Sequence, residues 1–392
     1  MVVQMEESLY SYNPWWENDF KIELWNRKSL KEKFPFWLNE NRILFLTGLR
    51  RVGKTSLMKL MIHHLLKKGI KPKNIFYISM DDYLFKNNSI HEILTLYRKI
   101  CKIKSEEKSY LFFDEITYKN EYEIQLKNLF DKENLKIIAT SSSSSLLKDK
   151  RANLTGRTTV FEVQPLDFFE FLDFKGISVK KRDASLLDSY FKDYIKIGGM
   201  PENINYPERQ YLMGLVEDII QKDITAFYGL KNSDVMRDYF SLLMERSGKQ
   251  ISINKIAKIL KISPDTSRRY LSYFEATYLI HLVSRWGKTN EKILSPKKVY
   301  ASDLGIKFLF HGERDLGSYF ENYIYLLIRN KSKIYYLQEE VELDFLTEDR
   351  ILIEAKYGTE LNEKQKVLFE KFQAKKKIII DSIIKTKELE TI

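Results

Sequence analysis

A chain of 392 residues, 44% hydrophobic and 30% charged, exceeds one ordinary core and is too apolar to be disordered, so two or three folded domains are expected. The single cysteine, Cys101, excludes an internal disulfide and a thiolate metal cluster and reads as a small buried hydrophobe. No apolar run approaches a membrane span and the first residues, MVVQMEESLY, lack the apolar stretch of a secretion signal, so a cytoplasmic protein without a membrane partner is expected.

The formal charge of +11 is unevenly placed. Residues 246–300 hold 12 Lys/Arg against 3 Asp/Glu, a net +9 that leaves about +2 for everything else. One segment carries the basic character, which points to a polyanionic partner for that segment.

In chain order, residues 1–36 are notable for Asn13-Pro14-Trp15-Trp16, an aromatic cluster expected to pack as a satellite of the core, to cover a nucleotide base or to cover a subunit surface. Residues 42–57 then read RILFLTGLRRVGKTSL: a strand-like run, a loop of the form G-x-x-x-x-G-K-[ST] from Gly48 to Thr55, and apolar residues at helical spacing from Ser56 onward. Such a loop turns backbone N–H groups toward phosphate oxygens and directs the positive end of a helix at the same anion. Gly48, Val52, Gly53, Lys54, Thr55 and Ser56 are therefore expected to bind ATP, Lys54 at the β- and γ-phosphates and the Thr55 hydroxyl on Mg²⁺.

Residues 74–79 form the next expected strand, 89–104 a helix, and 109–116, SYLFFDEI, a buried strand delivering two acids at its carboxyl end. Asp114 is expected to hold the Mg²⁺ shell and Glu115 to orient and deprotonate water. Residues 137–141 end in the serine run 141–145, where Ser141 or Ser142 is the candidate for the γ-phosphate or the lytic water; the other reading is a plain serine loop. Arg157 precedes the last strand, 158–163, and is the candidate arginine finger, in cis or to a neighbouring subunit; its other reading is a surface residue. Helical periodicity from 165 to 244, broken at Gly198-Gly199-Met200-Pro201, reads as a helical lid with ATP between it and the loop.

Residues 252–262 and 266–278 give two short helices across the turn Ser263-Pro264-Asp265, a helix-turn-helix with 278–283 and Trp286 as its wing strands. Ser267, Arg268 and Arg269 are expected to enter a major groove while Lys255, Lys258 and Lys261 face phosphates of double-stranded DNA. The final region follows 297–305. Glu321 on a helix, Glu342 and Asp344 on one strand face, and Glu354 and Lys356 on the next make D-x(9)-E-x-K with a helical acid, a constellation suited to one or two Mg²⁺ and phosphodiester cleavage.

The stretches GLRRVGKTS, LFFDEI, SSSSSLL, LTGR followed by PLDFFEFL, and GGMPE resemble an AAA+ ATPase family common in archaea and bacteria. The resemblance implies an ATPase module followed by a winged helix and a domain related to PD-(D/E)xK nucleases, and by analogy a homo-oligomer. The expected fold is α/β: a P-loop AAA+ parallel sheet over 1–164 with a helical lid over 165–245, then a winged helix-turn-helix over 246–300 and a small nuclease-like α/β domain over 301–392. The expected function is a DNA-binding ATPase; the alternatives are an ATP-dependent DNA nuclease and a nucleotide-dependent regulatory switch that binds protein only.

Overall fold

The computed structural model describes residues 2–18, 20–142, 154–230 and 232–391. The chain divides into two compact units, Met1–Gln164 and Pro165–Ile392. Among the described residues no helix is long and apolar enough to cross a membrane.

The first unit is a five-stranded parallel sheet of β1 (Ile43–Thr47), β2 (Ile75–Ser79), β3 (Ser109–Asp114), β4 (Leu135–Ser141) and β5 (Thr158–Glu162), in the order β2-β3-β4-β1-β5. β1 is buried at every residue, as is β3, because helices cover both faces, which is why these strands read as continuous apolar runs. Around them run α1 (Val2–Tyr12), α2 (Lys54–Lys67), α3 (Ile90–Cys101) and α4 (Tyr122–Lys132). α3 begins at a reciprocal capping box between Ser89 and Glu92 and stops where Lys102 turns left-handed at φ 55°. The sheet inserts β3 and β4 between β1 and β2, so β2 is an edge.

That edge is where the aromatic N-terminal cluster goes. The side-chain carbonyl of Asn13 accepts from the Tyr77 amide at 2.7 Å while its amide donates to the Tyr77 carbonyl at 2.9 Å. Trp15 and Trp16 each donate an indole N–H to the Ile75 carbonyl at 3.0 Å. The segment therefore supplies partners that a sixth strand would have supplied, and it blunts an edge otherwise open to pairing.

The second unit opens with helices α5 (Phe168–Phe174), α6 (Leu186–Ile197), α7 (Arg209–Asp218) and α8 (Ser233–Glu245). Next come β6 (Gln250–Ile251), α9 (Ile253–Leu260), α10 (Pro264–Ala276), β7 (Ile280–Arg285) and β8 (Lys297–Ala301). It ends with α11 (Leu304–His311), α12 (Leu316–Ile328), β9 (Ile334–Gln338), β10 (Glu342–Thr347), β11 (Ile351–Ala355), α13 (Glu363–Lys371) and β12 (Lys376–Ile380).

The boundaries expected at 245/246 and 300/301 do not separate compact units. One seven-stranded sheet, β12-β11-β10-β9-β7-β8-β6, runs through all of the later strands, with β7 and β9 joined in parallel at Ser284 opposite Tyr335 and Arg285 opposite Tyr336. The Lys297–Ala301 segment, expected to lead into the last region, is the third strand of the helix-turn-helix module: it pairs antiparallel with β7 and with β6. The helical segment is tied in as well. Asp303 caps α11 through the Ile306 amide at 2.9 Å and accepts the Gly199 amide at 2.6 Å. A Cβ on Gly199 would sit 2.1 Å from the Leu166 carbonyl oxygen, so the glycine pair that breaks the helical pattern is there for close approach.

Candidate functional site

The phosphate loop joins β1 to α2. At Gly48, φ is 130° and a Cβ would lie 2.3 Å from the Val163 carbonyl oxygen, so only glycine lets β1 turn beside the end of β5. Gly53 precedes α2 at φ 100°, a left-handed residue that turns the chain into the helix. Val52 is buried beneath the loop. Lys54 is buried too, its ammonium donating to the Gly48 and Leu49 carbonyls at 3.0 and 3.1 Å. Thr55 and Ser56 follow in the first turn of α2, both half-buried.

β3 brings Asp114 to this helix start. Its Oδ2 accepts the Thr55 hydroxyl at 2.6 Å and the Tyr77 hydroxyl at 3.0 Å, and its Oδ1 accepts the Thr140 hydroxyl at 2.5 Å. Glu115 has left-handed backbone, φ 48°, an uncommon conformation for a non-glycine residue. Two contacts hold it: its amide donates to Thr140 Oγ1 at 2.8 Å, and its Oε2 accepts the Ser142 hydroxyl and amide at 3.2 and 3.3 Å. Burial pushes the Glu115 carboxyl above its ordinary value, while Lys54 pulls the other way. A hydroxyl and a carboxylate thus converge at the start of the phosphate-loop helix, with the Glu115 carboxyl beside them.

Of the two serines expected here, Ser142 touches Glu115 and Ser141 is buried 3.5 Å from the Thr117 hydroxyl. Ser143, Ser144 and Ser145 of the run lie outside the described residues. The cis arginine finger is corrected. Thr158 pairs with Ile43 at the start of β1, and the Arg157 carbonyl accepts the Ile43 amide at 2.8 Å. Arg157 is therefore at the amino edge of the sheet, about 16 Å of strand from its own phosphate loop at ~3.3 Å per residue. Its guanidinium makes a bidentate pair with Asp131 at 2.8 and 3.1 Å.

In the second unit, α9 is capped by Ser252 and α10 by Ser263 with Pro264 in its first turn. Lys255, Lys258, Lys261, Arg268 and Arg269 are all exposed, and Arg268 pairs with Asp265 at 2.8 Å. Ser267 is corrected: it is buried, with Tyr239 Oη 2.9 Å from its carbonyl and hydroxyl oxygens. It shares the stripe Ser267, Leu271, Phe274 at i, i+4, i+7, which faces the core rather than outward.

The acids of the C-terminal pattern do meet. Asp344 and Glu354 lie opposite each other one rung beyond the Phe345/Ile353 pair, and the Asp344 amide donates to Glu354 Oε2 at 2.9 Å. Lys356 is 3.0 Å from Glu354 Oε1. Burial raises both carboxyls above their ordinary values. A further cation, Lys298, which is not part of the expected metal set of Glu321, Asp344, Glu354 and Lys356, is inserted among these acids, 2.7 Å from Glu321. Among the described residues no group of three or more His, Cys, Asp and Glu is arranged to hold a metal ion.

Residues 40–172 match the family model described as an AAA domain, which spans the loop, Asp114 and Glu115, and residues 188–313 match a domain of unknown function. An uncharacterized protein of Methanocaldococcus jannaschii, MJ1544, is 30% identical over 364 residues, 86% of this chain and 79% of that one. The chain belongs to the MJ1544 family. Further relatives are MJ1637 of the same organism, 26% identical over 91% of this chain and 84% of that one, and an uncharacterized protein of Haemophilus influenzae, 25% identical over 78% and 79%. Solved structures reached include a STAND ATPase with a tetratricopeptide repeat sensor from Pyrococcus horikoshii, at 14% identity, TM-score 0.31, 80% of this chain and 46% of that one. AMPPCP-bound DnaA from Aquifex aeolicus is reached at 17% identity, TM-score 0.28, 65% and 89%. At those TM-scores neither bears on function.

Three residues at these sites of the MJ1544-family chain escape sequence reasoning. Thr140 sits one residue before the serine run that drew attention, and Tyr77 looks like an ordinary strand aromatic. Lys298 lies in a pair of lysines, and the signal for it is that VYA, which follows directly, puts it on a buried strand.

Proposed function

We propose that this P-loop AAA-type ATPase hydrolyses ATP with Mg²⁺ and uses its nucleotide state to set how the helix-turn-helix engages duplex DNA. The observation that carries the ATPase reading is the 2.6 Å contact between Thr55 and Asp114 with Glu115 fixed beside it. Thr55 and Asp114 present hard oxygens of the kind Mg²⁺ prefers, and they are the residues that would hold it; the ion would supply charge neutralisation on the phosphates. Lys54 binds phosphate, and Glu115, its carboxyl raised by burial, takes the proton of the attacking water.

The DNA reading is supported by the side chains that α9 and α10 leave in solvent. Lys255, Lys258 and Lys261 are exposed on and just after α9, Arg268 and Arg269 on α10, within the segment of net +9. Arg157, distant along the sheet from its own loop, is restricted to serving the site of a second copy, the arrangement in which a homo-oligomer would complete its ATPase sites.

The test is phosphate release from ATP by the purified chain, with and without duplex DNA, set beside Glu115→Gln. Turnover that disappears in the variant supports the assignment, and equal turnover in the two proteins contradicts it.

A further inference from the structure

Lys298 is fully buried on β8. Its ammonium lies 2.7 Å from Glu321 Oε1 on α12, 2.7 Å from Glu342 Oε1 on β10 and 3.8 Å from Asp344 Oδ1 on the same strand. A buried lysine without partners would be costly, and this one is surrounded by the acids that offset its desolvation.

Other protein donors also engage these carboxylates, Tyr300 at the same Glu321 oxygen that Lys298 contacts. Tyr300 donates its hydroxyl to Glu321 Oε1 at 2.6 Å, and Gln250 of β6 donates to Glu342 Oε2 at 2.8 Å. The Ala355 amide donates to Asp344 Oδ2 at 3.0 Å. Glu354 accepts the Asp344 amide on Oε2 at 2.9 Å, with Lys356 and Gln365 at 3.0 and 3.3 Å from Oε1. An oxygen-ligated divalent ion needs those same atoms free at about 2.0 to 2.6 Å from one centre. Here Lys298 holds the place between Glu321, Glu342 and Asp344, and the acids do not fit a metal without its removal.

The geometry also has a direction. Lys298 belongs to β8 and Gln250 to β6, both strands of the helix-turn-helix module; Glu321, Glu342 and Asp344 belong to the α12 and β10 elements that follow it. The cluster is thus a bond between the two parts of the sheet. Side chains from one part are the ligands of the other.

We infer that Lys298 is the resident cation of this cluster: it neutralises the acids that the sequence pattern reads as metal ligands and locks the helix-turn-helix strands to the C-terminal region. That region then binds no divalent ion and does not cleave DNA. The inference holds whether or not the helix-turn-helix binds DNA, and it needs nothing from the ATPase site.

The experiment is Mn²⁺ binding to the nucleotide-free full chain, read from the loss of the free-ion magnetic resonance signal. Wild type and Asp344→Asn are expected to take up the same amount of Mn²⁺, a comparison that cancels any ion held at the phosphate loop. One additional Mn²⁺ per chain in wild type, lost in Asp344→Asn, would overturn the inference. Lys298→Met is expected to gain one Mn²⁺ per chain, lost again in Lys298→Met with Asp344→Asn. A folded Lys298→Met that gains none would show that the lysine does not occupy a cation place. If Lys298→Met does not fold, the first comparison decides alone.

Discussion

The Thr55 hydroxyl donates to Oδ2 of Asp114 across 2.6 Å, tying the first turn of the phosphate-loop helix to the end of β3. The two residues are 59 positions apart in sequence. Their contact fixes the loop relative to the acids and brings together the oxygens that a nucleotide-bound Mg²⁺ would use.

Binding and turnover should therefore separate. Lys54→Ala is expected to lose ATP affinity, because the buried ammonium is the loop's own charge on the phosphates. Glu115→Gln should keep that affinity while turnover falls by about 10² to 10⁴, the range for removing a general base. Nucleotide binding and phosphate release on the same preparations check both.

Thr140 should behave as a positioning residue. Its hydroxyl accepts the Glu115 amide and donates to Asp114 Oδ1, so Thr140→Val leaves a buried donor and acceptor unpaired at nearly constant volume. An unmet bond costs about 1–3 kcal/mol, which corresponds to roughly five- to 150-fold in turnover if it falls on the active conformation. Thr140→Ser should recover most of the rate; a valine variant as fast as wild type would remove Thr140 from the site.

The two faces of α10 predict opposite phenotypes. Arg268→Ala with Arg269→Ala should weaken duplex binding and flatten its dependence on salt by about one unit for each phosphate that the variant leaves unneutralised, with little effect on stability. Ser267→Ala should leave duplex affinity unchanged and cost about 1 kcal/mol of stability, since its hydroxyl bonds inside the helix packing. Anisotropy titrations at two salt concentrations and a urea melt distinguish them.

What the sequence revealed and what it hid follow from the range of the interactions. The inner strands β1 and β3 were legible because both faces are buried and each reads as a largely apolar run, whereas β5, TTVFE, is partly exposed; the loop was legible because its glycines and lysine serve local geometry. Asp114 and Glu115 were legible as a strand-end pair. Thr140 and Lys298 were not, because a threonine at a strand end and a lysine among lysines acquire meaning only from partners 25 residues or more away in the first case and 23 or more in the second. The sheet running across 300/301 was hidden for the same reason: nothing local announces that β7 will pair with β9, about fifty residues on. Ser267 was misplaced although its stripe with Leu271 and Phe274 was readable.

A pH dependence is expected from Lys307, buried with its ammonium 2.8 Å from the Ser318 carbonyl and 2.5 Å from the Ser318 hydroxyl. Burial lowers it from the ordinary 10.5 to about 7, with Glu321 and Asp315 opposing and Lys249 adding to the shift. Between pH about 7 and 10.5 the folded chain then holds fewer protons than the unfolded one, so stability rises with pH across that window and the full penalty is present below it. Relative to Lys307→Met, wild type should gain about 1 kcal/mol per pH unit there. Urea melts at pH 7 and 9 that show no relative change would contradict this.

The most direct measurement of nucleotide-controlled DNA engagement uses Glu115→Gln, in which bound ATP persists. Duplex affinity is measured by fluorescence anisotropy with saturating ATP and Mg²⁺ and again without nucleotide, at one salt concentration. The predicted result is a difference of about tenfold, a coupling of about 1.4 kcal/mol, that Lys54→Ala abolishes. Equal affinities with and without ATP, in a protein shown to bind ATP, would contradict it.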